Sequence, residues 1–316
     1  MVDNIALRNL RAALQRRWGD RLRVDEPMAE HTSYRIGGPA DLYLVAESGD
    51  DLAQMVALAD EHGVPVFVMG RGTNVLVADA GIRGLVIEFR AEQVRWTTHD
   101  DEDETILWAE AGANLREIAR AGVARGLAGL EWAVGIPGSV GGAVVGNAGA
   151  FGGYMSDVVR RLTVLDASGV REMSAAEAGF GYRTSRFKAG SQAVGRKEII
   201  LAAEMALRPE SVAVLEERVT EYTRRRMNRQ PAEPSAGSVF KRTAQYPAGF
   251  LIEQAGLKGT RRGEAVISPR HANFIVNLGR ARATDVKALI ELAQETVLHE
   301  FGERLELEIE LIGEWE

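Results

Sequence analysis

Residues Trp132 to Ser156 read WAVGIPGSVGGAVVGNAGAFGGYMS, 25 residues without a charge and with eight glycines. A hydropathy scan offers this run as a membrane span. A bilayer helix must satisfy its backbone through regular helix, however, and the glycines, Pro137 and Asn147 resist that. A solvated linker would carry Ser, Lys and Glu, whereas Ile, Val and Ala predominate here. The run therefore reads as backbone loop packed against something. Glycine at this density costs chain entropy, which only a close backbone approach offsets. Gly135-Ile136-Pro137-Gly138-Ser139-Val140-Gly141-Gly142, continuing to Asn147-Ala148-Gly149-Ala150, is thus a candidate cradle for a flat ligand or a pyrophosphate.

A second glycine run lies upstream, Gly70-Arg71-Gly72-Thr73-Asn74, between short apolar strands expected at Val64 to Met69 and Val75 to Val77. Its backbone N–H groups suit an anion-binding nest. A Rossmann fingerprint needs a strand-to-helix context, which is missing. A plain hairpin turn is the competing reading.

Outward from these runs, the periodicity alternates between two and 3.6. Strands are expected at Asp41 to Val45, Leu85 to Phe89 and Ile106 to Ala109, and a helix over Asp51 to His62. Asn114 and Glu117 form a capping box for a helix through Arg125. Leu162 to Asp166 and Val170 to Met173 read as a hairpin, and Glu198 to Leu207 as a strand. Past a boundary at Pro209, Val212 to Tyr222 marks a helix that runs into Arg224-Arg225-Arg226, and Gln230 to Ser238 is loop. A strand at Asn273 to Asn277, a helix from Thr284 and an alternating strand over Leu305 to Leu311 complete the chain. The mixture predicts an α+β protein with segregated subdomains rather than a doubly wound sheet.

Bulk properties narrow the function. The 316 residues suffice for two or three domains, and 46% hydrophobic with 26% charged residues is an ordinary globular balance. A net charge of −7 without a basic stripe argues against general nucleic-acid binding. The absence of cysteine excludes disulfides, thiolate nucleophiles and Cys-ligated metals, and suits a cytoplasmic protein. No metal is expected. Met1 to Leu22 has no apolar core of signal-peptide length, and no membrane insertion is expected.

The two glycine runs resemble the FAD-contacting loops of the UDP-N-acetylenolpyruvoylglucosamine reductase (MurB) family. Further stretches fit in family order: Thr32-Ser33-Tyr34-Arg35-Ile36-Gly37-Gly38, Gly181 to Lys188, Ser235 to Lys241, His271 to Asn277 and Glu308 to Gly313. The resemblance implies the vanillyl-alcohol-oxidase-type FAD-binding fold of two subdomains, residues 1–80 and 81–208, plus a separate α+β substrate-binding domain, 209–303, and a terminal strand, 304–316. It implies FAD contacts from Tyr34, Arg35, Gly70, Arg71, Gly72, Thr73, Asn74, Val75, Leu76, Gly135, Ile136, Pro137, Gly138, Ser139, Gly141, Gly142, Asn147, Ala148 and Gly149. It implies reduction of an enolpyruvyl ether on a UDP-sugar, with NADPH using the same pocket in turn.

Three residues carry the implied chemistry. Arg183, helped by Glu308, would stabilise negative charge developing beside the substrate carboxylate, as a permanently charged, bidentate guanidinium is suited to do. Ser238 would donate the proton. A surface arginine and a turn serine are the bland alternatives. Glu306, Glu308 and Glu310 fall on one face of the expected last strand; burial would raise the Glu308 pKa and Arg183 would lower it. Arg229 and Arg242, with Arg225 and Lys258 behind them, are candidates for the UDP diphosphate, and His271 and Asn273 for the pocket wall. Arg242-Thr243 stands where the family has Asn-Pro. Only 54 residues separate Arg183 from Ser238, too few for the capping-tyrosine loop that some members insert, and the tyrosine between them, Tyr222, sits on a helix pattern. A sugar or alcohol oxidase of the same fold is the alternative reading. Such enzymes often tether flavin through His or Cys, and neither glycine run holds either.

Overall fold

The computed structural model describes residues 4–98, 104–188 and 198–315. The first body is a four-stranded sheet in the order Arg23–Pro27, Pro39–Ala46, Ile82–Phe89, Val66–Met69. Two of its three pairings are parallel, and that of the edge strand Arg23–Pro27 is antiparallel. Parallel neighbours need a crossover, and helix Gly49–Glu61 supplies it, capped by Ser48 accepting from Asp51 N at 3.1 Å. Leu52, Met55 and Ala59 on one face of that helix are buried. Strand Ile82–Phe89 pairs with both Pro39–Ala46 and Val66–Met69, so the first sheet runs past the expected boundary at residue 80. The sheet needs this strand as its centre, and no composition shift marks it.

The second body is an antiparallel sheet ordered Gly169–Ser174, Val159–Asp166, Ile199–Pro209, Thr105–Glu110, Val94–Thr98. The expected hairpin closes at Asp166 and Gly169. Helix Leu115–Ala124 begins at Asn114, whose side chain accepts from Arg116 N at 3.1 Å. Glu117 accepts from the Asn114 side-chain amide, so the capping box is only half formed. One apolar core serves both bodies, running from Leu10 through Leu107 and Leu207 to Leu215.

Helix Val212–Arg229 packs back on the second body through Leu215, past the expected boundary at Pro209. The third body holds helices Ala248–Gln254 and Ala283–Phe301 and a small sheet of Arg261–Arg262, Ala265–Ile267 and Ile275–Asn277. Its core includes Tyr34, Ile36 and Leu76 from the first third of the chain. Asp79 tightens the same joint by accepting from Ala283 N at 2.8 Å and Thr284 N at 3.0 Å. Burial tends to raise the Asp79 pKa; these bonds, the Thr284 hydroxyl and Arg282 outweigh it and lower the pKa.

The expected terminal strand is shorter than its alternation suggested. Lys241 N donates to Glu306 O and Glu308 N to Val239 O, both at 2.8 Å. The chain then changes partner, and Glu310–Ile312 pairs in parallel with Val75–Val77. The switch breaks the two-residue alternation. Glu306 stays 75% exposed while Glu308 is only 20% exposed. Among the described residues, no helix is long and apolar enough to cross a membrane.

Candidate active site

The two glycine runs meet. A Cβ on Gly70 would collide with Ser139 Oγ, and one on Gly72 would collide with the His31 carbonyl. Gly72 also holds φ at +59°, a conformation that L residues avoid. Trp132 to Ser156 is not all loop, as expected from sequence. Ser139 caps a six-residue helix, Val140–Val145, accepting from Gly142 N at 3.3 Å, and Gly149–Ala150 pairs with Gly153–Tyr154. Val140, Ala143 and Val144 bury this helix, which offsets its glycines. Gly141 lies against Ala111, where a Cβ would be 2.8 Å from the alanine methyl.

Beside this junction opens a cavity of about 1000 Å³, bordered by all three bodies. Gly70, Arg71, Gly72, Thr73, Asn74 and Val75 line it on one side. Ile136, Pro137, Gly138, Ser139, Gly141, Gly142, Ala148 and Gly149 line another. Arg183, Arg229, Ser238, His271 and Glu308 face it as well.

Seven expected contacts do not line the cavity. Tyr34 is fully buried and donates to Ile275 O at 2.9 Å, and the Tyr34 and Arg35 carbonyls accept from Asn277 Nδ2. Leu76 is core. Gly135 lies under the Arg226 stem. Asn147 braces the glycine run, donating to Gly181 O and accepting from Ser156 N, both at 3.0 Å. Asn273 clamps Phe240, accepting from its N–H at 3.0 Å and donating to its carbonyl at 2.8 Å. Arg242 points to solvent. Of the two reserve cations, Arg225 borders the cavity, and Lys258 pairs with Glu253 at 2.7 Å.

The three residues expected to carry the chemistry converge through short links. Arg183 sits at φ +54° in a tight turn between Gly181 and Thr184. Its Nη2 donates to Gly149 O at 2.7 Å. Its Nε lies 3.1 Å from Glu308 Oε1 but is misaligned for a hydrogen bond, leaving a buried N–H without a partner. The Glu308 backbone binds Val239, the neighbour of Ser238, and the Val239 N–H donates to Asn273 O at 2.8 Å. Gly237, at φ +80°, turns the chain into this segment. The Ser238 hydroxyl makes no hydrogen bond among the described residues.

Burial disfavours the charged form of three groups at the site. Burial raises the Glu308 pKa, against Arg183, Lys188 and Lys241. Burial lowers the pKa of Lys188, whose Nζ donates to Glu308 O at 2.8 Å. Burial also lowers the His271 pKa, and its Nδ1 accepts from Asn273 N at 3.2 Å, which leaves the proton on Nε2. Sequence reasoning assigned no role to Lys188, Ser33, Arg226 or Phe151. Ser33 borders the cavity and donates to Ser235 O at 2.7 Å. Tyr222 stands on the helix, as expected, and stacks on Phe151 at 4.2 Å and 5°. Phe151 faces the cavity and is backed by Tyr222, without any inserted loop.

The sequence matches the C-terminal domain of UDP-N-acetylenolpyruvoylglucosamine reductase over residues 230–312 and an FAD-binding domain over 40–174. A UDP-N-acetylenolpyruvoylglucosamine reductase of Chloroflexus aggregans is 44% identical over 292 residues, covering 92% of this chain and 97% of that protein. The chain belongs to the UDP-N-acetylenolpyruvoylglucosamine reductase family. A reductase of Symbiobacterium thermophilum is 43% identical over 295 residues, covering 93% of this chain and 92% of that protein. The crystal structure of the reductase of Thermus caldophilus superposes with a TM-score of 0.76 at 34% identity, covering 92% of this chain and 99% of that one. The fold is that of the vanillyl-alcohol-oxidase type of flavoprotein, and the chain is an FAD-binding oxidoreductase. Both glycine runs of this reductase fall within the FAD-binding match. Ser238, His271 and Glu308 fall within the reductase C-terminal match, and Arg183 lies between the two.

Proposed function

We propose that this chain reduces the enolpyruvyl ether of UDP-N-acetylglucosamine to UDP-N-acetylmuramate, with NADPH as electron source, in the cytoplasmic synthesis of peptidoglycan precursor. Roles in cell-wall growth, cell shape and division follow from that product. The observation that carries this reading is the link from Arg183 to Glu308 to the Ser238 segment, at a cavity that both glycine runs also line.

The residues present fit FAD. The Gly70–Ser139 junction leaves backbone open to a diphosphate, and Arg71 keeps a buried Nε without a partner. When bound, FAD supplies the hydride carrier that links NADPH to the terminal carbon of the enolpyruvyl group.

The chain's own residues then have three tasks. Arg183 binds the substrate carboxylate and stabilises the negative charge that grows on the adjacent carbon, an effect larger in the transition state than in the ground state. Its strained turn, Gly149 O and Glu308 fix its direction before substrate arrives. Ser238 gives its proton to the carbon that bore the charge, and its hydroxyl, uncommitted within the described chain, suits that step. Lys188, Lys241 and Arg183 around Glu308 make the neighbourhood favourable to a transient alkoxide. Arg229 and His271 border the cavity where a nucleotide sugar would lie. Asn273 acts indirectly, by bracing the Ser238 loop.

The test is anaerobic reduction of the purified flavoprotein with NADPH, followed by reoxidation with the enolpyruvyl sugar nucleotide. Reoxidation by that compound, with UDP-N-acetylmuramate formed, supports the reading. Flavin that is reduced by free sugars or alcohols and reoxidised only by oxygen favours the oxidase.

A further inference from the structure

Helix Val212–Arg229 ends in a basic run, and Arg226 turns from it onto the second glycine run. Its stem lies across Gly135, so closely that a Cβ there would be 2.6 Å from Arg226 Cδ and 2.7 Å from Nε. Its head borders the cavity. Among the described residues it has no carboxylate and no hydrogen-bond partner. Burial, and after it the charge of Arg116, pushes the Arg226 pKa down. Arg116 stands at the start of helix Leu115–Ala124, where Leu115 N donates to Gly138 O at 3.2 Å, and its buried Nε also lacks a partner.

A half-buried guanidinium that faces a cavity and has no partner among the described residues is suited to an anion. The anion's position follows from Gly135. Three residues on, the same loop reaches Gly138 and Ser139, which abut Thr73 and Gly70 at the junction of the two runs. Gly135 lies inside the FAD-binding match, while Arg226 lies outside both matches, on a helix packed against the second body.

We propose that Arg226 binds the diphosphate of the dinucleotide cofactor, so that the cofactor is the missing counter-ion and ties helix Val212–Arg229 to the second glycine run. The inference rests on the flavoenzyme reading above. It assigns the basic helix to the cofactor at Arg226 and leaves Arg225 and Arg229 to the substrate side.

Arg226→Met keeps the stem over Gly135 and removes the charge; Arg226→Lys keeps the charge and loses the fork. FAD release is read as recovery of flavin fluorescence when the holoprotein is diluted, over a range of salt. Arg226→Met is expected to weaken FAD about tenfold or more, as for loss of a hydrogen bond to a charged group, and to flatten the salt dependence. Arg226→Lys recovers part of the affinity. Riboflavin, which has no phosphate, binds wild type and Arg226→Met apoprotein equally. Flavin-free Arg226→Met melts no lower than flavin-free wild type, because the charge has no partner among the described residues to lose. Unchanged FAD release overturns the proposal, as does an equal loss for riboflavin. If thermal shift shows weaker binding of UDP-N-acetylglucosamine with FAD unaffected, Arg226 serves the substrate diphosphate and the proposal fails. Wild-type protein that takes up no FAD overturns the flavoenzyme reading together with this one.

Discussion

Ser238 is the side chain whose loss should separate the two halves of the reaction. Ser238→Ala leaves flavin reduction by NADPH intact and slows reoxidation by the enolpyruvyl substrate about a hundred- to ten-thousandfold, the range for one positioned proton donor; stopped-flow absorbance of the flavin reads both steps. Glu308 gives a second outcome through pH. Its folded pKa is raised by burial above the ordinary 4.5. Between those two values the folded state holds the proton more tightly than the unfolded state, so stability declines as pH rises. Glu308→Gln removes that dependence. The variant should gain on wild type as pH climbs from 4.5 through the raised value, and hold a constant offset above and below; urea midpoints across that range check it. Ser238, Glu308 and Arg183 were legible because each stands in a motif. Arg226 was not, because its place comes from burial by elements far away in sequence, and an arginine next to others ordinarily reads as solvated; Lys188 closes the Arg183 motif, but its bond to the Glu308 carbonyl joins segments 120 residues apart.

At the scale of elements, the glycine runs work by closeness. Gly72→Ala puts a methyl into the His31 carbonyl at a positive φ. Left-handed backbone alone costs an L residue about 1–2 kcal/mol, and the clash adds displacement of the nest. The variant should purify with little or no flavin, checked by the ratio of visible to ultraviolet absorbance, while its far-ultraviolet circular dichroism stays near that of wild type. The strands and long helices of this fold were readable because their apolar spacing is regular. Helix Val140–Val145 was not: six residues including two glycines carry no period, and only the Ser139 cap and burial of Val140 and Val144 make it helical. The last strand misled in the opposite way. Its Glu alternation is regular, yet the backbone changes partner between Glu308 and Glu310, so the pattern outlasts the strand.

At the scale of the molecule, the third body is tied to the first by a few polar contacts around shared core. Tyr34 reaches Ile275, Ser33 reaches Ser235, and Asp79 holds the start of helix Ala283–Phe301. Asp79→Ala leaves those helix N–H groups unmet and should cost about 0.5–2 kcal/mol, measured as a lower urea midpoint, with flavin affinity less affected than turnover. The boundary between the first two bodies was the part of the architecture that sequence left least legible. A parallel sheet takes strands from either side of a crossover, and nothing in composition announces which sheet a central strand joins.

The pairing of Glu310–Ile312 with Val75–Val77 spans most of the chain. Contacts of such separation close late in folding, since the loop between them must be ordered first. On dilution from urea in the presence of FAD, flavin absorbance is therefore expected to return before turnover does; simultaneous recovery of the two would show that the terminal pairing closes with the rest.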